Sequence, residues 1–148
     1  MKPGTLYLIP VPLGDPAGES ALAPLPLPVR ECAARLRYFI AEHAKSARAF
    51  LKALPSQTPL QAIVIRELNE HTPPSAFAEL LTPLLNGEDV GLISEAGCPA
   101  VADPGAELVA LAHRRGLRVV PLVGPSSILL ALMASGLGGQ NFAFHGYL

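Results

Sequence analysis

The stretch Asp89 to Gly105, DVGLISEAGCPAVADPG, decides how the chain folds. Its first half, Val90 to Ile93, is a short apolar run bounded by Glu88 and Asp89. Such a run reads as a strand buried in a sheet. Small and turn-forming residues follow: Ser94, Ala96, Gly97, Cys98, Pro99, Ala100, Ala102, Pro104 and Gly105. A helical pattern then starts near Pro104 and runs to Arg115, where Gly116 stops it. A buried strand therefore opens into a non-helical loop at its carboxyl end. Ligands of open α/β sheets bind outside those ends, and small side chains let the main chain approach them.

Working outward, the same alternation repeats. Strands are expected at Thr5–Val11, Tyr38–Ala41, Ala62–Leu68, Val90–Ile93 and Arg118–Val123. Helices are expected near Arg30–Leu36 and at Lys45–Leu54, Pro74–Leu85, Pro104–Arg115 and Ser126–Ala134. Thr72 or Ser75 is a candidate cap for the third helix, and Asp103 for the fourth. The proline-rich piece Ala21–Val29 reads as an extended loop, because proline removes an amide donor and clashes with the preceding turn. A last extended piece spans Phe142–Leu148, rich in exposed-type apolar residues. Alternating strands and helices imply an α/β domain with a mostly parallel, five-stranded sheet.

The 148 residues suit one domain. Eleven Lys and Arg against twelve Asp and Glu give a formal charge of -1, without the basic excess of most nucleic-acid binders. Cys32 and Cys98 form no CxxC pair, so a reduced, cytoplasmic protein is expected. No apolar run approaches the ~20 residues of a membrane span. No set of His, Cys and acidic residues has metal-ligand spacing.

Three small-residue loops follow the first, fourth and fifth strands: Pro10–Asp15, Ser94–Gly105 and Val123–Ser127. In a parallel sheet they share one end. Taken singly, each is explained by Gly and Pro terminating a strand. Together they suit a nucleotide-like ligand, to which Ser126 and Ser127 offer hydroxyls or helix-start amides. The chain lacks GxxxxGK[ST] and GxGxxG. The loops carry no Lys but do carry Asp15, Glu95 and Asp103, so a cationic sulfonium suits them better than a phosphate. Glu42 and Glu70, at the ends of the second and third strands, are candidate general bases, each with a plain alternative as a solvated carboxylate. His43 and His71 lie at that same edge, where a lone His is more often structural or surface-exposed than catalytic; His113 sits near a helix C-terminus, His145 has no evident partner, and Ser126 has no nucleophile elbow around it.

In order, LYLIPVPLGD, FIAEHAKSARAFLK, ELNEHT, DVGLISEAGCPAVADPGAELV, VVPLVGPSSILLALMASGL and FAFHGYL resemble the N-terminal domain of the tetrapyrrole (corrin/porphyrin) methylase superfamily. The nearest branch is similar to the ribosomal small subunit methyltransferase I group, which methylates a ribose 2'-hydroxyl of 16S rRNA. The resemblance covers the whole chain, residues 1–148, and its SEAGCPAVADPG and VGPSS blocks are the specific ones. It implies a class III methyltransferase N-terminal domain with helices on both faces of the sheet, the family's C-terminal domain lying outside this chain. It implies S-adenosyl-L-methionine as cofactor, a homodimer, and rRNA or the small ribosomal subunit as partner, with no metal and no membrane. It suggests cofactor contacts from Leu13, Gly14, Ala96, Gly97, Cys98, Val101, Ser126 and Ser127. AEHAKSAR stands where the rRNA branch has AEDTR, leaving Glu42 with His43 beside it. Alternatives within the fold are a tetrapyrrole precursor methylase and a non-catalytic dimerising module.

Overall fold

A computed structural model describes residues 1–14, 19–56 and 58–147; Asp15, which the sequence places in the first loop, and Leu148 lie outside them. Five strands, β1 (Thr5–Leu8), β2 (Tyr38–Ala41), β3 (Val64–Glu67), β4 (Val90–Ile93) and β5 (Arg118–Pro121), form one parallel sheet in the order β3-β2-β4-β1-β5. β4 is buried along its length because it lies at the centre of the sheet. Helices on both faces bury Ile93 on one side and Val90 and Leu92 on the other, which is why its sequence shows an unbroken apolar run rather than alternation.

Helices cover both faces, and the period-2 alternation of the strands decides which residue serves which face. On one face, α1 (Leu27–Arg35) and α2 (Ala44–Ala53) pack Val29, Cys32, Ala33, Phe50 and Leu51 against Ile9, Phe39, Ala41 and Ile93. On the other, α3 (Phe77–Leu80), α4 (Thr82–Leu85) and α5 (Gly105–Arg114) pack Phe77, Leu81, Leu84, Leu108 and Ala112 against Leu6, Ile40, Val90 and Leu92. Gly91 lets the first layer close. A Cβ there would sit 2.8 Å from Ile9 Cδ1 and 2.9 Å from the Phe39 ring.

The sequence expectations shift in several places. β1 ends at Leu8, not Val11; Ile9–Val11 are buried but turn toward the next loop. β3 and β5 are likewise shorter than expected, ending at Glu67 and Pro121. α1 starts at Leu27, inside the proline-rich piece, since Pro28 occupies its first turn, where no amide donor is needed. The expected helix Pro74–Leu85 is instead a 3-10 turn followed by α3 and α4, interrupted around Leu81. Pro83 cannot continue the hydrogen-bond ladder there. Neither Thr72 nor Ser75 caps this segment; the Thr72 hydroxyl accepts from the Asn69 amide at 3.0 Å. The final segment, residues 142–147, forms no strand.

β1 and β4 are neighbours, yet the chain leaves them in opposite directions. From β1 it moves past β4 to β2, and from β4 it moves past β1 to β5. That reversal opens a crevice at the carboxyl ends, where open α/β sheets bind ligands.

Candidate functional site

The turn after β1 and the turn after β4 meet directly across this crevice. Val11 and Gly97 exchange both backbone hydrogen bonds, with N···O distances of 3.0 and 3.1 Å. The turn after β5 closes on the same point. The Cys98 thiol donates to the carbonyls of Pro125 at 3.4 Å and Gly124 at 3.8 Å. A Cβ on Gly97 would lie 3.0 Å from both Leu13 Cδ2 and the Pro125 carbonyl oxygen. A Cβ on Gly124 would collide with the Pro10 ring. Glycine at both positions therefore allows the three turns to touch.

The β4 loop is held in an unusual shape. Ala100 and Ala102 adopt left-handed backbone angles, φ 64° and 54°. Such angles are uncommon for residues with a Cβ and cluster at functional sites. Asp103 fixes them: its carboxylate accepts from the Ala100 amide at 3.0 Å and the Gly105 amide at 2.8 Å. Asp103 does not cap α5, whose N-cap is Pro104 without a side-chain cap bond; its bond to the Gly105 amide instead braces the entry to the helix while also shaping the loop.

A cavity of about 510 Å³ lies over these turns. All five carboxyl-end connections line it, with Leu13 from the first, Glu42 and His43 from the second, Asn69 to His71 from the third, Ser94 to Pro104 in part from the fourth, and Ser126 to Ile128 from the fifth. Leu13, Ala96, Gly97, Cys98, Val101, Ser126 and Ser127 are brought together here. Gly14 is not; it borders a neighbouring cavity of about 360 Å³ with Pro12 and Lys45. The helix α6 (Ser127–Ser135) begins at the rim, and the Ser126 hydroxyl accepts from the Leu129 amide at 3.4 Å. That hydroxyl serves the helix cap, which leaves the Ser127 hydroxyl and the first amides of α6 for a ligand.

Among the described residues, four carboxylates, Glu42, Glu70, Glu95 and Asp103, line the cavity, and no Lys or Arg does. Burial pushes the Glu42 carboxyl above its ordinary range, and the charge of Asp103 adds to this. Burial also raises Asp103, with the Gly105 and Ala100 amides pulling back. The two candidate bases differ sharply. Glu42 is half-buried at the end of β2, whereas the Glu70 side chain is 84% exposed and meets only His71, at 3.5 Å. Burial raises the Cys98 thiol too, which keeps it a hydrogen-bond donor rather than a thiolate nucleophile.

The sequence places His43 and His71 at this edge and Ala102 in the fourth-strand loop; sequence reasoning missed Asn69 and Tyr147 as lining residues and the contact between His43 Nδ1 and Glu95 Oε1 at 3.3 Å. Asn69 carried a legible signal, its position just after β3, whereas Tyr147 follows no strand and carried none. No group of three or more His, Cys, Asp or Glu among the described residues is arranged to hold a metal. No helix among them is long and apolar enough to cross a membrane.

No family model matches the chain. Individual proteins do. The ribosomal RNA small subunit methyltransferase I of Xylella fastidiosa is 33% identical over 146 residues, covering 99% of this chain and 50% of that protein. The protein of the same name from Pseudomonas aeruginosa is 35% identical over 150 residues, covering 100% and 49%. That from Mesorhizobium japonicum is 37% identical over 143 residues, covering 97% and 45%. The chain spans about half the length of the curated relatives it matches. Among solved structures, a uroporphyrin-III-C-methyltransferase from Thermus thermophilus superposes with a TM-score of 0.61 at 22% identity, over 93% of this chain and 54% of that one. The chain is therefore a relative, over nearly its whole length, of the ribosomal RNA small subunit methyltransferase I proteins, and it shares its fold with a tetrapyrrole methyltransferase.

Proposed function

We propose that this chain is the donor-binding part of an S-adenosylmethionine-dependent methyltransferase that acts on a ribose 2'-hydroxyl of small-subunit ribosomal RNA in the cytoplasm. One observation carries the reading: the turns leaving β1, β4 and β5 converge on Gly97 beside a cavity lined, among the described residues, by four carboxylates and no basic side chain other than histidine. The names of the relatives support the reaction class and the RNA acceptor.

The residues present fit the donor. A sulfonium is cationic, and Glu42, Glu95 and Asp103 attract it while repelling a phosphate. Leu13, Ala96 and Val101 supply apolar contact; Gly97 lets the backbone come close; Ser127 and the first α6 amides supply donors. S-adenosylmethionine, when bound, supplies an electrophilic methyl group on a charged sulfur. The chain's own share is to orient donor and acceptor, which in a displacement reaction accounts for much of the rate. Of the two carboxylates, Glu42 is the one built into the cavity wall and Glu70 stands at its mouth.

The same carboxylates disfavour a tetrapyrrole acceptor, whose own carboxylates they repel. α6 and the segment behind it, with no buried residue and with Leu129, Met133, Leu137 and Phe142 exposed, form the face we assign to a second copy in a homodimer. Transfer of labelled methyl from S-adenosylmethionine separates the readings. Label on the 16S rRNA of small ribosomal subunits is expected. Label on a porphyrinoid instead assigns the tetrapyrrole reaction, and binding without transfer to either assigns the non-catalytic module.

A further inference from the structure

We propose that His43 takes the proton from the acceptor hydroxyl, with Glu95 as the positioning residue that presents it; this rests on the methyltransferase reading above. His43 precedes α2, at the end of β2, and its ring lines the cavity. A side chain at such a position commonly caps the helix, but here the cap comes from elsewhere. The Glu67 carboxylate, on β3, accepts from the Ala44 amide at 2.9 Å, and His43 makes no side-chain cap bond. The imidazole is therefore free to turn to the β4 loop, where Nδ1 meets Glu95 Oε1 at 3.3 Å.

That contact has a chemical consequence. The proposal places the proton of the neutral ring on Nδ1, because a carboxylate only accepts and would repel a bare Nδ1 lone pair, and this leaves Nε2 with a lone pair. A base oriented by a carboxylate, with its second nitrogen free, is the arrangement by which enzymes draw protons from hydroxyls. Nε2 takes the hydroxyl proton, and the electron pair of the broken O–H bond stays on oxygen, which becomes the stronger nucleophile. The ring is 62% exposed, so the proton then passes to solvent. An imidazole suits this task at neutral pH better than an ordinary carboxylate such as Glu70. Among the described residues, the other charged or titratable groups near His43 and Glu95 include Glu67, Glu42, Glu70, His71, Asp103 and Lys45, which lines the neighbouring cavity with Glu95.

The test combines three readouts on the wild type, His43→Gln, Glu95→Gln and Glu42→Gln. Nitrogen-15 spectra of the free protein are expected to show neutral His43 protonated on Nδ1, with Glu95→Gln moving the proton toward Nε2. An Nε2-protonated ring in the wild type overturns the proposal. Acylation of His43 by diethyl pyrocarbonate is expected to slow when S-adenosylhomocysteine is bound, while that of the remote His113 does not. Bound S-adenosylhomocysteine without protection also overturns it. In turnover, His43→Gln and Glu95→Gln are expected to lose about 10²-fold or more in kcat, with the affinity for S-adenosylhomocysteine within about twofold of wild type. Loss in Glu42→Gln alone returns the role to Glu42. Failure of S-adenosylhomocysteine to bind at all is a different result: it rejects the methyltransferase reading itself.

Discussion

Val11 and Gly97 pair through both of their backbone groups, at 3.0 and 3.1 Å, although 85 residues of sequence lie between their positions. This single bridge ties the loops of two neighbouring strands whose onward connections diverge. It fixes the floor of the crevice. Everything proposed about the ligand depends on that floor.

Gly97→Ala tests the floor. Its φ of +67° disfavours any Cβ, and the added methyl would press on the Pro125 carbonyl, which is backbone and yields little. A cost of about 1–3 kcal/mol is expected from the backbone angle and the contact together. Urea denaturation measures it. An unchanged midpoint would mean that the turns do not pack as described.

The opposite end of the sheet has its own clasp. Asp89 accepts from the Thr5 amide at 2.8 Å and from Arg35 at 3.2 Å. Arg35 is half exposed, so the ion pair contributes little. The amide bond is the larger matter, because losing its acceptor leaves a strand donor unsatisfied. Asp89→Ala is expected to cost about 1–2 kcal/mol and Asp89→Asn clearly less. Equal losses in the two variants would instead assign the effect to charge.

Glu42 sets a pH dependence. Its folded carboxyl is raised above the ordinary range, mainly by burial. The folded state therefore holds this proton more tightly than the unfolded chain does. The stability it brings is complete below the ordinary carboxylate range and is lost as pH rises through the raised folded value. Glu42→Gln, which cannot ionise, is expected to be more stable than wild type near about pH 7, with the gap closing by about pH 3. Denaturation at both pH values checks it. A variant less stable at neutral pH would show that the carboxylate is held by favourable contacts.

Such stored electrostatic cost is common where a site is built for a ligand. It also bears on how much of this protein can be read before folding. β2 and β4 were legible to the residue, since each is a buried apolar run with abrupt ends. The three loops were legible as a group because small residues follow strands. Strand order was not: nothing in the local pattern says that β4 inserts between β2 and β1. Hence the pairing of Val11 with Gly97, and the contact of His43 with Glu95, were out of reach. Prolines misled in both directions. Pro28 starts a helix where a loop was expected, and Pro83 accompanies a break where one helix was expected.

The exposed face of α6 gives an expectation about assembly. Met133 is 77% and Leu137 85% exposed, on a segment with no basic or acidic residue. A helix apolar all round is normally covered. Sedimentation is expected to find a dimer in the wild type and a monomer in Leu129→Glu/Met133→Glu. A wild-type monomer would contradict the assignment of this face to a second copy.

The most direct measurement maps where an adenosyl ligand binds. Amide shifts of the isotope-labelled protein are recorded as S-adenosylhomocysteine is added. The account expects changes grouped at Leu13, Ala96–Cys98, Val101–Ala102 and Ser126–Ser127, around the three joined turns. No change at saturating ligand would contradict it. So would changes grouped in the separate groove of about 590 Å³ beside Tyr38, Val64 and Leu80.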